Sequence, residues 1–238
     1  MIRTLLFDLD GTLVDTEHHH YQAFEITFGR LGVVFDRNIY DSRILGGATT
    51  AIAAEFLPHL PTDARMQVME DKEALYREML TDLVPLPGVL EFLDLAERMG
   101  LRRAVVTNAP FANAEKVLTG AGILDRFEGI ISAAELSDAK PHPLPYLTGL
   151  ELLGGRPETT IAFEDSRAGL RSAVAAGLTV VGIETVLSRQ EILDLGAALA
   201  VADYRDPRIL DLLENVPSGP EAGCPSGHAA LATAETSD

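Results

Sequence analysis

Met1-Ile2-Arg3-Thr4-Leu5-Leu6-Phe7-Asp8-Leu9-Asp10-Gly11-Thr12 opens the chain. An apolar run from Ile2 to Phe7 stops abruptly at two aspartates and a glycine. That pattern predicts a buried strand followed by a tight turn. A long stretch without β-like runs comes next. Ala23, Phe24, Thr27, Phe28 and Leu31 share helical spacing, with Gly32 placed to stop that helix. Further helices are expected over Thr49 to Leu57 and Thr62 to Leu83. Pro85 and Pro87-Gly88 then break the pattern and read as a hinge.

Beyond the hinge the pattern alternates. Strands are expected over Arg102 to Thr107, Gly129 to Ser132, Thr160 to Phe163 and Thr179 to Ile183, with a weaker one at Leu199 to Ala202. Helices are expected between them: Phe111 to Ala121, Leu144 to Leu153, Ser166 to Ala176 and Ser188 to Leu195. Alternating strands and helices predict a parallel sheet covered on both faces. The fold expected is therefore α/β, with a doubly wound, Rossmann-like parallel core. Residues 1–15 and 85–215 form that core, and residues 16–84 form a helical insert after its first strand. From residue 216 to 238 the chain is rich in Pro, Gly, Ala, Ser and Thr without apolar period, which predicts a disordered tail.

Bulk properties bound the function. The 238 residues carry 19 Lys and Arg against 36 Asp and Glu, a net charge of −17. Nucleic acid and anionic membranes bind basic patches, so neither is an expected partner. A small anionic substrate stays open, because one metal and one Lys can reverse the field locally. The single cysteine, Cys224, excludes an internal disulfide and fits a reducing compartment. The N-terminal segment lacks the pattern of a signal peptide, and the longest apolar run, Ala173 to Ile183, is too short for a membrane span. A cytoplasmic protein is expected, a monomer with oligomerisation left open. There is no Walker loop and no Gly-x-Ser-x-Gly elbow. Gly120-Ala121-Gly122 reads as a helix end.

In open parallel sheets ligands sit beyond the C-terminal ends of the strands. The first strand ends at Asp8 and Asp10, another at Thr107-Asn108, and a third at Glu164-Asp165. Lys140 precedes Pro141 in the loop after Gly129 to Ser132. Taken singly, each has an ordinary structural explanation as turn chemistry or a solvated charge. Four in order, each following a strand, point to one crevice. Clustered carboxylates repel one another unless a cation joins them, and an oxygen-only set suits magnesium.

Asp8-Leu9-Asp10-Gly11-Thr12, Val106-Thr107-Asn108, Lys140-Pro141 and Phe163-Glu164-Asp165-Ser166 resemble the four ordered motifs of the haloacid dehalogenase superfamily, over about Met1 to Glu214. The helical insert resembles the small cap of the branch that holds β-phosphoglucomutases and sugar phosphatases. Val106 to Pro110, Lys140-Pro141-His142-Pro143 and Asp203-Tyr204-Arg205-Asp206-Pro207 look like the phosphosugar phosphatases of that branch. The resemblance implies Asp8 as nucleophile and Asp10 as general acid and base. It implies Mg2+ held by Asp8, Asp165 and the Asp10 carbonyl, with Glu164 assisting. Thr107, Lys140 and the Asn108 backbone N–H would hold the phosphoryl oxygens. His20 matches a histidine that assists cap closure, and Lys72 a cap lysine that touches substrate. For Lys72 the competing reading is a solvated helix face shared with Tyr76. Consecutive helix residues point about 100° apart, so His18, His19 and His20 do not share one metal.

Three functions follow. The first is a magnesium-dependent phosphatase of small phosphorylated metabolites. The second is a phosphosugar mutase. The third is a non-enzymatic phosphoacceptor, which fits least, since such domains are shorter and lack a cap. A β-phosphoglucomutase grips its second phosphate with a cap arginine, and Thr49 stands at the matching position here.

Overall fold

The computed structural model describes residues 1–45 and 47–215. The tail expected over 216–238, with Cys224, lies outside the described residues. Six strands form one parallel sheet: β1 (Thr4–Phe7), β2 (Arg102–Thr107), β3 (Ile130–Ser132), β4 (Thr160–Glu164), β5 (Thr179–Ile183) and β6 (Leu199–Val201). Their spatial order is β3-β2-β1-β4-β5-β6. The chain winds outward from β1 through β2 to β3, then returns to the other side of β1 and winds through β4 to β6. The direction reverses between β1 and β4, and such a reversal opens a crevice at the strand ends.

Period-two alternation decides which side chains face which layer. Leu5, Phe7, Val105, Phe163 and Val181 share one core cluster. It also takes in Val89, Phe92, Leu93 and Ala96 of α5 (Val89–Arg98) and Val117 of α6 (Phe111–Gly120). Leu6, Ala104, Val106, Ala162 and Val180 join the opposite cluster, with Tyr146 of α7 (Leu144–Leu152), Leu170 of α8 (Arg167–Ala175) and Ile192 of α9 (Arg189–Asp194). Helix α10 (Arg208–Asn215) returns Ile209 and Leu213 to the first cluster.

Between β1 and α5 stand α1 (Glu17–Gly29), a short turn α2 (Arg37–Ile39) continued by a π-helical turn over Tyr40–Ile44, α3 (Thr49–Phe56) and α4 (Thr62–Met79). They close on their own apolar cluster, built around Phe24, Phe28, Phe35, Tyr40, Ile44, Ile52, Leu57 and Met69.

Two helix ends differ from the expected bounds for a visible reason. Helix α4 stops at Met79, four residues early, and Asp82 beyond it takes a positive φ of 53°. Helix α1 stops at Gly29, with Gly32 at a φ of 72° ending the turn after it. Helix α5 was not expected, because Pro87-Gly88 read as a hinge. No described helix is long and apolar enough to cross a membrane.

Candidate active site

Register places the acidic groups side by side. Phe7 pairs with Phe163 across β1 and β4, and Asp8 N donates to Phe163 O at 2.9 Å. Asp8 and Glu164 are therefore neighbours at the reversal between β1 and β4. The Phe7 and Phe163 rings stack at 4.9 Å beneath them. Lys140 arrives from the loop after β3 and is only 3% exposed. Its Nζ donates to Asp8 Oδ1 at 2.6 Å, Glu164 Oε1 at 2.6 Å and Val106 O at 2.7 Å. Burial alone would push the ammonium down, but Asp8 and Glu164 hold it above its ordinary value. Lys140 thus stays charged in a buried site.

Glu164 is held at both oxygens. Oε1 also accepts from Tyr146 OH at 2.7 Å, and Oε2 from Asp165 N, Ser166 N and Ser166 Oγ at 3.2–3.3 Å. Asp165 accepts from Thr12 Oγ1 and Thr185 Oγ1, each at 3.2 Å. The single Thr185 hydroxyl proton is shared between Asp165 and the nearer Gly11 O at 2.8 Å, tying the first turn to the end of β5. Gly11 has a φ of 78°, and a Cβ there would lie 2.2 Å from Asp165 Oδ2. Only glycine meets both conditions.

Asp8, Glu164 and Asp165 each offer an oxygen within 4.8 Å of the others, the one such metal-sized group among the described residues. Burial pushes Asp8 well above the ordinary aspartate value; Lys140 opposes this, while Glu164, Asp165 and Asp10 add to it. Asp165 is pushed up to about 8 by burial and then by the charge of Glu164. Carboxylates this reluctant to ionise together are what a hard cation relieves. The donor set fits Mg2+. With Glu164 saturated by five hydrogen bonds, Asp8 and Asp165 are the groups free to ligate directly.

Asp10 faces the insert instead. Thr16 Oγ1 donates to its Oδ1, Tyr76 OH lies 3.4 Å away and His20 Nε2 3.6 Å away. Burial raises its pKa, but His20, Thr16 and Lys72 together bring it below the ordinary value. The two aspartates of the first motif therefore occupy opposite environments. Lys72 is buried at 1% exposure, which excludes the solvated-face reading. Its Nζ meets His20 Nδ1 at 3.1 Å and lies 4.2 Å over the Phe24 ring. The His20 and Tyr76 rings stack at 3.9 Å.

Thr107 Oγ1 accepts from Ala109 N at 3.0 Å, which fixes the loop and leaves its O–H free to donate. The Asn108 side chain ties that loop to the next, accepting from Lys140 N at 3.1 Å and donating to Lys140 O at 3.4 Å. A cavity of about 120 Å³ is lined by Asp8, Asp10, His20, Lys72, Thr107, Asn108, Lys140 and Asp165. A larger one of about 630 Å³ adjoins it, sharing Thr49, Glu73, Asn108, Pro110 and Lys140. Ser166 belongs to the fourth motif, but Tyr146, Thr185, Glu73 and Asn113 carry no spacing signature in the sequence.

A sequence profile described as haloacid dehalogenase-like hydrolase matches residues 2–177. The chain is 37% identical over 219 residues to the protein CbbY of Rhodobacter capsulatus, spanning 87% of this chain and 93% of that protein. It is 32% identical to validoxylamine A 7'-phosphate phosphatase of Streptomyces hygroscopicus subsp. limoneus, over 88% of this chain and 99% of that one. Among solved structures, CbbY from Rhodobacter sphaeroides in complex with phosphate is similar at a TM-score of 0.75 and 31% identity, covering 87% of this chain and 96% of that chain. The chain belongs to the haloacid dehalogenase-like hydrolases. Within that family it is a phosphoric monoester hydrolase, a phosphatase.

Proposed function

We propose that the chain is a magnesium-dependent phosphatase of phosphorylated sugars and similar small metabolites, working through an aspartyl-phosphate on Asp8. The observation that carries this reading is the contrast between the two aspartates. Asp8 lies against Lys140 at the reversal point of the sheet, while Asp10, two residues on, is held against the helical insert. Asp8 Oδ1 is oriented by Lys140, and the carboxylate attacks phosphorus. Thr107 O–H, the Asn108 N–H and Lys140 hold the phosphoryl oxygens. Bound magnesium would offset charge on the transferring group, the main catalytic need in phosphoryl transfer. Asp10 protonates the leaving oxygen and then deprotonates the water that cleaves the intermediate. It is held ionised by His20 and Thr16 here, and drawing it away from them raises its proton affinity, as an acid role requires. Helices α1 to α4 serve as a cap that closes over the leaving group.

The larger cavity favours hydrolysis over phosphoryl return to a second hydroxyl. A mutase must grip two phosphates. The cations lining this cavity among the described residues are Arg77 and Lys140, alongside Glu70, Glu73 and Asp138. Arg77 donates to Asn113, and Lys140 is held by Asp8 and Glu164. Thr49 contributes one neutral hydroxyl, where an Arg fork would donate two charged hydrogen bonds. The test is a panel of sugar monophosphates assayed for phosphate with magnesium and with EDTA, beside a coupled glucose-6-phosphate dehydrogenase assay on β-glucose 1-phosphate. Phosphate release that stops in EDTA and outpaces isomerisation is expected. Isomerisation outpacing release, or full activity in EDTA, would overturn the reading.

A further inference from the structure

Asn113 is the third residue of α6, the helix that follows the Thr107–Pro110 loop directly. It is polar, 1% exposed, and has no part in the chemistry above. Its amide is used in both directions. Nδ2 donates to Glu73 Oε2 at 2.6 Å, and Oδ1 accepts from Arg77 Nη1 at 2.7 Å. Both partners sit on α4, one turn apart. A carboxylate only accepts and a guanidinium only donates, so a side chain with one arm of each kind is required between them. Both bonds have a charged partner, the stronger class of hydrogen bond.

The contacts continue to the active site. Glu73 Oε1 accepts from Lys72 Nζ at 3.0 Å. Lys72 Nζ meets His20 Nδ1 at 3.1 Å, and His20 Nε2 stands 3.6 Å from Asp10 Oδ1. Hydrogen bonds thus run from Asn113 through Glu73 and Lys72 to His20, which stands in longer electrostatic contact with Asp10 at 3.6 Å.

We propose that Asn113 is a positioning residue: it latches α4 to the helix behind the phosphate-binding loop and, through Glu73, sets Lys72 and His20 against Asp10. The latch is suited to opening. Glu73 and Arg77 are four residues apart, the spacing at which Glu and Arg pair on a helix. In this arrangement Asn113 stands between them and no ion pair joins them. When α4 leaves α6 the two pair with each other, so neither charge is stranded, and Asn113 turns to water. Release therefore costs far less than unpairing a buried charge.

The activity arm of the test rests on the phosphatase reading; the motion arm does not. Asn113→Asp replaces the donor arm with an acceptor facing Glu73. Adding Glu73→Gln restores a donor opposite it, since the introduced amide donates through Nε2 and keeps Oε1 for Lys72. Asn113→Asp should lower kcat/KM by roughly 10- to 100-fold, the range for one lost charged hydrogen bond. The double variant should regain most of that loss. Amide hydrogen exchange in Thr62–Met79 and Phe111–Gly120 should quicken in the single variant and slow again in the double. Asn113→Ala, which introduces no charge, serves if Asn113→Asp does not fold, and should quicken exchange likewise. A double variant no better than the single, or wild-type exchange and kcat/KM in Asn113→Ala, would overturn the latch. If wild type releases no phosphate from any ester, the exchange measurements still decide it, and only the phosphatase reading falls.

Discussion

Asp8 and Lys140 show how one residue pair serves charge balance and chemistry together. Asp8 is buried beside two other carboxylates, and its pKa is pushed well above the ordinary value. Replacing it with Asn removes one negative charge from a crowded site, while Lys140 keeps Glu164 and the Val106 carbonyl. Asp8→Asn should therefore fold at least as stably as wild type in metal-free buffer. Phosphate release should nonetheless fall by on the order of 10³-fold or more, since no other side chain is placed to form the covalent intermediate. Thermal melts and steady-state rates on the same preparation check both halves; a variant retaining a tenth of wild-type kcat would remove Asp8 from its role. Lys140→Ala has the opposite profile. It leaves Asp8 and Glu164 without their shared cation, and breaking a buried pair in this way costs about 3–5 kcal/mol. Both stability and turnover should drop, turnover by roughly 10²-fold or more. Unchanged melting together with unchanged kcat would show that Lys140 is a bystander.

At the scale of elements, the start of α8 is built around Glu164. Ser166 caps the helix, accepting from Gly169 N at 3.0 Å while donating to Glu164 Oε2. Gly169 lies so close to Glu164 that a Cβ would stand 1.8 Å from Oε1. Glycine inside a helix ordinarily costs about 1 kcal/mol relative to alanine, so Gly→Ala usually stabilises. Here the carboxylate cannot yield, because Lys140, Tyr146 and the turn after β4 hold it. Overpacking costs typically about 1–3 kcal/mol, so the sign should reverse. Gly169→Ala should lower the urea midpoint and turnover together, and a raised midpoint would refute the close fit. The elements differ in how plainly sequence shows them. Strands β1, β4 and β5 are buried along nearly their whole length and read as largely apolar runs, while β2 opens on Arg102 and Arg103 and is buried only from Ala104 onward. Helix α5 carries its buried Val89, Phe92, Leu93 and Ala96 at i, i+3, i+4 and i+7, a legible face hidden by the Pro-Gly pair before it. The strand-end residues Asp8, Thr107, Asn108, Glu164 and Asp165 were legible because a parallel sheet gathers its strand ends. Tyr146 and Thr185 were not, since each reaches the carboxylates from an element whose distance in sequence says nothing of distance in space.

For the whole molecule, the doubly wound sheet converges strand-end carboxylates in a chain whose net charge is already −17. Stability must therefore depend on what joins them. Asp165, pushed up to about 8 by burial and by Glu164, holds its proton far more tightly when folded than an unfolded aspartate of pKa about 3.9 would. Between those two values the folded state binds more protons than the unfolded, so stability falls as pH rises. The contribution is fully present below about pH 4 and is lost as pH rises through about 8. Asp8, raised in the same direction, adds to the slope. Asp10 is lowered, so its opposite contribution is complete above the ordinary aspartate range and does not intrude. Lys72, lowered by burial, works against the slope. In EDTA the melting temperature should therefore decline steadily from pH 5 to pH 8. Magnesium should remove the decline, because a cation takes the place of the protons. Its affinity should weaken as pH falls below about 8, with proton release on binding. Melts across this range with EDTA or magnesium, and calorimetric titrations in two buffers of different ionisation heat, measure these effects. Asp165→Asn should flatten the metal-free curve and abolish much of the proton release. A metal-free melting temperature that rises with pH over this window, or magnesium binding without proton release, would mean that the carboxylates ionise independently and that no cation is needed to join them.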